Sequence, residues 1–182
     1  MSRRSFTVLF IAAVTIMTGC SSAPPSKDNR PLGNVTAKPQ ECGLIARDAI
    51  ARAIGLKSFY ADGTTSAAHF AYCIVTRSPN DSQAAWMLIE VKDPLPYSVQ
   101  SLEARKASDK GVDLPNELRP GYSAPIRDQD GEPVGAYVSA WTNHDPKLLS
   151  IKIFRGAPGR DHQADAIEFA RQLKPFLLTS SS

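Results

Sequence analysis

Three histidines and three cysteines are all that this chain of 182 residues offers to a metal or a redox couple. No two histidines stand at a ligand spacing such as His-x-x-x-His, and there is no Cys-x-x-Cys. The Gly-x-Ser-x-Gly elbow, the phosphate loop and the dinucleotide glycine pattern are absent as well. These absences leave no catalytic residue, cofactor or metal to expect. His69 precedes a strand and His162 follows a helix cap. His144 beside Asp145 is a poor triad fragment, because adjacent residues on a turn rarely orient one another. The acids of Asp128-Gln129-Asp130-Gly131-Glu132 suggest calcium, but an EF-hand loop needs Gly sixth and Glu twelfth, where this chain has Pro133 and Ser139. An excess of one charge is missing too. The net charge is +3, and two of those charges are Arg3 and Arg4, so the remainder is near +1. With no dense Lys/Arg cluster either, nucleic acid is not an expected partner. Finally, the apolar run from Phe6 to Met17 is roughly half to two-thirds of the ~20 residues that a membrane-spanning helix needs.

What that run does have is the order of a secretion signal: basic start, apolar middle, small-residue end at Thr18-Gly19-Cys20. Met17-Thr18-Gly19-Cys20 resembles the bacterial lipobox, with Met17 in place of the usual Leu. The resemblance implies that residues 1–19 are a lipoprotein signal peptide. The Cys20 thiol would then take a diacylglyceryl group as a thioether, and cleavage before it would leave Cys20 as the first residue. Two palmitate-type chains, at about 0.8 kcal/mol per buried methylene, hold a protein on a membrane where one chain does not. Ser2-Arg3-Arg4-Ser5-Phe6 also resembles the twin-arginine export signature, with Thr7 where an apolar residue is usual. A general secretion signal carries two basic residues as well, so both routes stay open. Ser21 to Gln40 is rich in Ser, Pro, Ala, Asn and Lys, a composition that reads as a disordered tether over residues 20–40. The expected location is the extracytoplasmic side of the cell membrane, lipid-anchored.

With Cys20 assigned to lipid, Cys42 and Cys73 remain as a pair in an oxidising compartment, and a disulfide is the natural reading. A metal pair or redox couple is poorer for want of the spacings named above. Residues 41–179, about 140 in all, suit a single domain with its own core, followed by a short tail at 180–182.

Within that domain, Cys42 to Gly55 places Cys42, Ile45, Ala46, Ala49, Ile50, Ala53 and Ile54 on one helical face, with Gly55 at a stop position. Phe70–Arg77 and Ala84–Lys92 read as strands joined by a turn. Tyr97–Lys110 is a charged surface helix with Val99 and Leu102 as its weak apolar side. A long loop from Asp113 leads into a strand near Ser123–Arg127, and Gly131 supplies a hairpin turn. Val134–Trp141 and Leu148–Phe154 alternate as strands. Asp161–Leu173 is a capped amphipathic helix that Pro175 ends. Hairpins rather than strict βα alternation predict an α+β domain: an antiparallel sheet of about four to five strands with helices packed mainly on one face.

Most aromatics on such strands are core or cross-strand pairs. If one sheet face is uncovered, Tyr72, Trp86, Tyr137 and Trp141 could line it as a binding surface. Glu41-Cys42-Gly43-Leu44-Ile45 opens a helix that ends Ala53-Ile54-Gly55, and a second cysteine follows at Cys73. This pattern resembles small actinobacterial cell-envelope lipoproteins with a two-cysteine domain of unknown function. In these an Asp/Asn-Pro-Cys-x-Leu-Leu start leads to an Ala-Leu-Gly helix end and a later Cys; Glu41 stands where Pro is usual. The likeness covers Gln40 to Thr76 and carries over no functional residues. The expected function is therefore a non-enzymatic, lipid-anchored binding module for an envelope protein or small ligand. A carrier of lipid or another apolar ligand is the alternative, and a cell-wall enzyme the remote third.

Overall fold

The computed structural model describes residues 26–66, 69–79, 84–143 and 146–178. The signal residues Arg3, Arg4, Met17, Thr18 and Gly19, the lipidation residue Cys20, and the His144–Asp145 pair lie outside them. Chain order runs β1 (Gln40–Glu41), β2 (Ile45–Ala46), α1 (Arg47–Ile54), β3 (Tyr60–Gly63), β4 (Tyr72–Thr76) and β5 (Ala85–Lys92). Then come α2 (Val99–Ser108), β6 (Val112–Asp113), a 3-10 turn at Asn116–Leu118, β7 (Gly121–Arg127), β8 (Pro133–Trp141), β9 (Leu148–Ile153) and α3 (His162–Leu177).

The class is α+β, with one seven-stranded antiparallel sheet ordered β3-β4-β5-β9-β8-β7-β6 and a separate two-stranded pair β1-β2. The expected four to five strands are thus too few. The two that the sequence hides, β3 and β6, are the sheet's edges. Edge strands are short and half-solvated, so Tyr-Ala-Asp-Gly and Val-Asp carry no alternation to read. From β5 at the centre the chain crosses by way of α2 to the far edge, then returns through β6, β7 and β8 until β9 pairs with β5.

Alternation sorts the side chains of the sheet into two faces. On the first, Cys73, Val75, Met87, Ile89, Val138, Leu149, Ile151 and Ile153 form the main core with Ile50, Ala53 and Ile54 of α1 and Ala166, Phe169, Ala170 and Leu173 of α3. On the second, Leu102 of α2 closes over Tyr122, Trp141 and Leu148. Two helices therefore cover one face and the third lies on the other.

Three expectations are corrected, each for a local reason. Helix α1 starts at Arg47, not Cys42, because Cys42 and Gly43 both take positive φ, 51° and 72°, in the tight turn between β1 and β2. At Gly43 a Cβ would stand 2.2 Å from the Thr65 carbonyl oxygen, so only glycine fits. Gly55 does end the helix, in the left-handed conformation. Pro175 does not stop α3: it lies in the last turn, where Lys174 donates to the carbonyls of Leu118 (2.6 Å) and Arg119 (3.1 Å) and Leu178 is buried beyond it.

The third concerns the expected tether. From Ser26 onward the segment is a strap packed on the domain: Leu32 and Val35 are buried in the main core. Gln172 of α3 accepts from the Val35 amide and donates to the Gly33 carbonyl, both at 2.9 Å. Asp28 donates its amide to Gly159 and pairs with Arg160. Two apolar residues and a set of polar clamps anchor a stretch whose average composition is that of a linker.

Candidate functional site

The Cys42–Cys73 disulfide joins the β1–β2 turn to the core face of β4 across 31 residues of sequence. It ties down the approach to α1. Of the four aromatics proposed as a binding surface, Tyr72 stands 44% exposed on the second face of β4. Tyr137 is half-buried on the same face of β8, while Trp141 is fully buried there beneath α2. Trp86, next to the irregular register between β4 and β5, packs against the main core with Arg155 over its ring at 5.6 Å. The structure therefore brings Tyr137 and Trp141 together, leaves two strands between Tyr72's strand and Tyr137's, and sends Trp86 elsewhere.

Tyr137 lines a cleft of about 280 Å³ between α2 and the second sheet face, and Trp141 packs in the cluster with Leu102 and Leu148 without lining it. Its geometry follows from the strand order. Pairing β5 with β9 sets Glu90 opposite Ser150 and Leu88 opposite Lys152, and pairing β9 with β8 sets Ser150 opposite Ser139. The floor is thus two adjacent serines, Ser150 and Ser139, 3% and 8% exposed, whose side chains line the cleft.

The walls are charged. Lys92 and Lys152 share one carboxylate: their Nζ atoms lie 3.6 and 3.4 Å from the two oxygens of Glu90. From the helix, Arg105 reaches over the Tyr97 ring, its guanidinium carbon 5.4 Å from the centroid, while Lys92 Nζ lies 5.6 Å from the same centroid. The quadrupole of the ring attracts both cations. Arg105 has no carboxylate partner among the described residues. Asp109, the second acid of the cleft, accepts a hydrogen bond from the Tyr137 hydroxyl. Burial, the Asp109 carboxylate and the nearby Tyr122 hydroxyl push the Tyr137 pKa far above its ordinary value, so the group remains a proton donor. That bond pins the C-terminal end of α2 to β8.

A larger groove, about 600 Å³, runs between the strap and α3, but most of its charges are engaged with one another. Arg160 binds Asp165 and Asp28, Arg30 binds Asp28, and Arg171 binds Glu168 and Glu117. It is a seam that holds the strap. The two histidines among the described residues form no centre: His69 is exposed and His162 packs against Gly156 with Nδ1 unpartnered. Among the described residues no group of three His, Cys, Asp or Glu side chains could hold a metal ion, and no helix is long and apolar enough to cross a membrane.

The fold and cleft define an α+β domain with helices on both faces of an antiparallel sheet and a polar recess under the lone helix. No protein-family model, no curated protein and no solved structure matches the chain.

Proposed function

We propose that this is a lipid-anchored protein on the extracytoplasmic side of a bacterial cell membrane, a non-enzymatic module that binds a small ligand in the α2 cleft. The observation that carries the binding reading is the cleft itself, where the paired Ser139 and Ser150 share one lining with Lys92, Lys152 and Arg105. The disulfide supports the compartment, because such bonds persist where the surroundings oxidise. The N-terminal signal, Cys20 and the cysteine pattern around Cys42 support kinship with the small actinobacterial envelope lipoproteins.

A lipid carrier calls for an enclosed apolar cavity on the order of several hundred Å³. The space between the sheet and α1 and α3 is filled by one continuous buried cluster, and the α2 cleft is polar, which favours the binding module. The strap adds a geometric consequence. Only the stretch from Cys20 to Ser26 separates the lipidated residue from packed chain, so the anchor reaches at most about 20 Å at full extension. The end of the domain around Ser26 and Gly159 then faces the bilayer. Cys20→Ala tests the anchor: the variant leaves the membrane fraction, and unchanged membrane retention overturns the assignment.

A further inference from the structure

We infer that the α2 cleft is a site for a small oxyanion, a phosphate or carboxylate group carried on a compact ring-sized body. The inference rests on the binding reading above and names the ligand's chemistry. Three cations line the cleft against two carboxylates. One of the two, Asp109, already takes the Tyr137 hydroxyl, and the other, Glu90, is shared by two lysines at distances of 3.4 and 3.6 Å, longer than a strong charge-assisted hydrogen bond. Arg105 and Lys92 both lie against the Tyr97 ring, at 5.4 and 5.6 Å from its centroid. An oxyanion placed there relieves their mutual repulsion and offers lone pairs to the fork of the guanidinium.

The floor matches the walls. Ser139 and Ser150 are neighbours across paired strands, so both hydroxyls can donate to one group of oxygens. Beside them Leu102, Leu148 and the Tyr97 ring give a short apolar wall against which a ring can lie. A volume of about 280 Å³ admits a small metabolite or the head of a larger molecule, not a folded partner. Glu90 is the internal competitor, because it holds Lys92 and Lys152 in the absence of ligand.

The test is calorimetric titration, with amide NMR, of the full chain in nonionic detergent. The probes are phenyl phosphate, benzoate and the neutral benzyl alcohol. Saturable binding of at least one anion, with shifts at Ser139, Ser150 and Arg105, is the expected result; whichever anion binds more tightly assigns phosphate or carboxylate chemistry. Arg105→Ala weakens that binding about tenfold, the loss of one hydrogen bond to a charged group. The double variant Ser139→Ala, Ser150→Ala does at least as much, and Glu90→Gln tightens it. Neither anion binding at millimolar concentration overturns the inference, as does benzyl alcohol binding equally well, or affinity unchanged in the serine double variant. Flotation of the same chain with vesicles reads the anchor separately, so a floating chain that ignores both anions rejects the ligand class and leaves the envelope assignment standing.

Discussion

Arg160 grips Asp165 with two hydrogen bonds, Nε to Oδ2 at 2.7 Å and Nη2 to Oδ1 at 2.6 Å, and both side chains are nearly closed to solvent, at 4% and 7% exposure. The same guanidinium pairs with Asp28 at 3.3 Å and donates to the Arg30 carbonyl at 2.8 Å. One residue therefore fixes both the start of α3 and the strap. Asp165→Ala leaves the buried Arg160 with Asp28 as its one remaining carboxylate partner among the described residues and costs about 3 kcal/mol, the low end of the loss for a broken buried pair. Urea unfolding of the variant against the parent reads that loss, and limited proteolysis reports the strap as newly cleavable between residues 26 and 35.

The disulfide makes a second expectation. Closing a loop whose ends stand 31 positions apart in sequence stabilises the fold by about 3 to 4 kcal/mol in the chain-entropy account. Thermal unfolding with and without reductant checks it, as does the double variant Cys42→Ser, Cys73→Ser. A midpoint unmoved by either change contradicts a structural role for the bond.

Helix α2 buries one residue, Leu102, and is otherwise held by Tyr137 on Asp109 and by Lys106 paired with Asp113. An element with so few buried contacts opens first. Hydrogen exchange is expected to be faster across Val99–Ser108 than across α3, and Leu102→Ala raises it further in α2 while β8 and β9 remain protected.

His162 links stability to pH. Burial lowers its pKa below the ordinary 6.5, against the opposing pull of Asp165 and Asp161. The unfolded chain then takes up the proton at a higher pH than the folded one, so this group's stabilisation is intact above about 6.5 and is lost as pH falls below it. Urea midpoints at neutral and mildly acidic pH show the slope; His162→Asn flattens it. Gly156→Ala acts on the same place, since a Cβ there would lie 2.1 Å from His162 Nδ1 and must displace the ring.

Much of the fold can be read in advance where one face is apolar and the other is not. Val134–Trp141 and Leu148–Phe154 announce themselves by alternation, Asp161 caps α3 through its bond from the Ala164 amide, and Gly131 turns the β7–β8 hairpin with φ 84°. The edge strands β3 and β6 and the strap are silent because they are short or mostly polar, and their order comes from tertiary contact. Leu32 and Val35 are too few to form a periodic signal, yet both are buried. The cleft is hidden for a different reason. Alternation puts Ser150 and Lys152 on the face opposite Leu149, Ile151 and Ile153, but nothing local says that β9 pairs with β5. That long-range pairing brings Lys92, Glu90 and Lys152 together beneath Arg105.

The most direct test of the account is the intact mass of the chain recovered from the membrane fraction of cells that express it. The account predicts a protein that begins at Cys20 and carries the added mass of a diacylglyceryl thioether. A chain that keeps residues 1–19, or one whose Cys20 thiol is free, would contradict it.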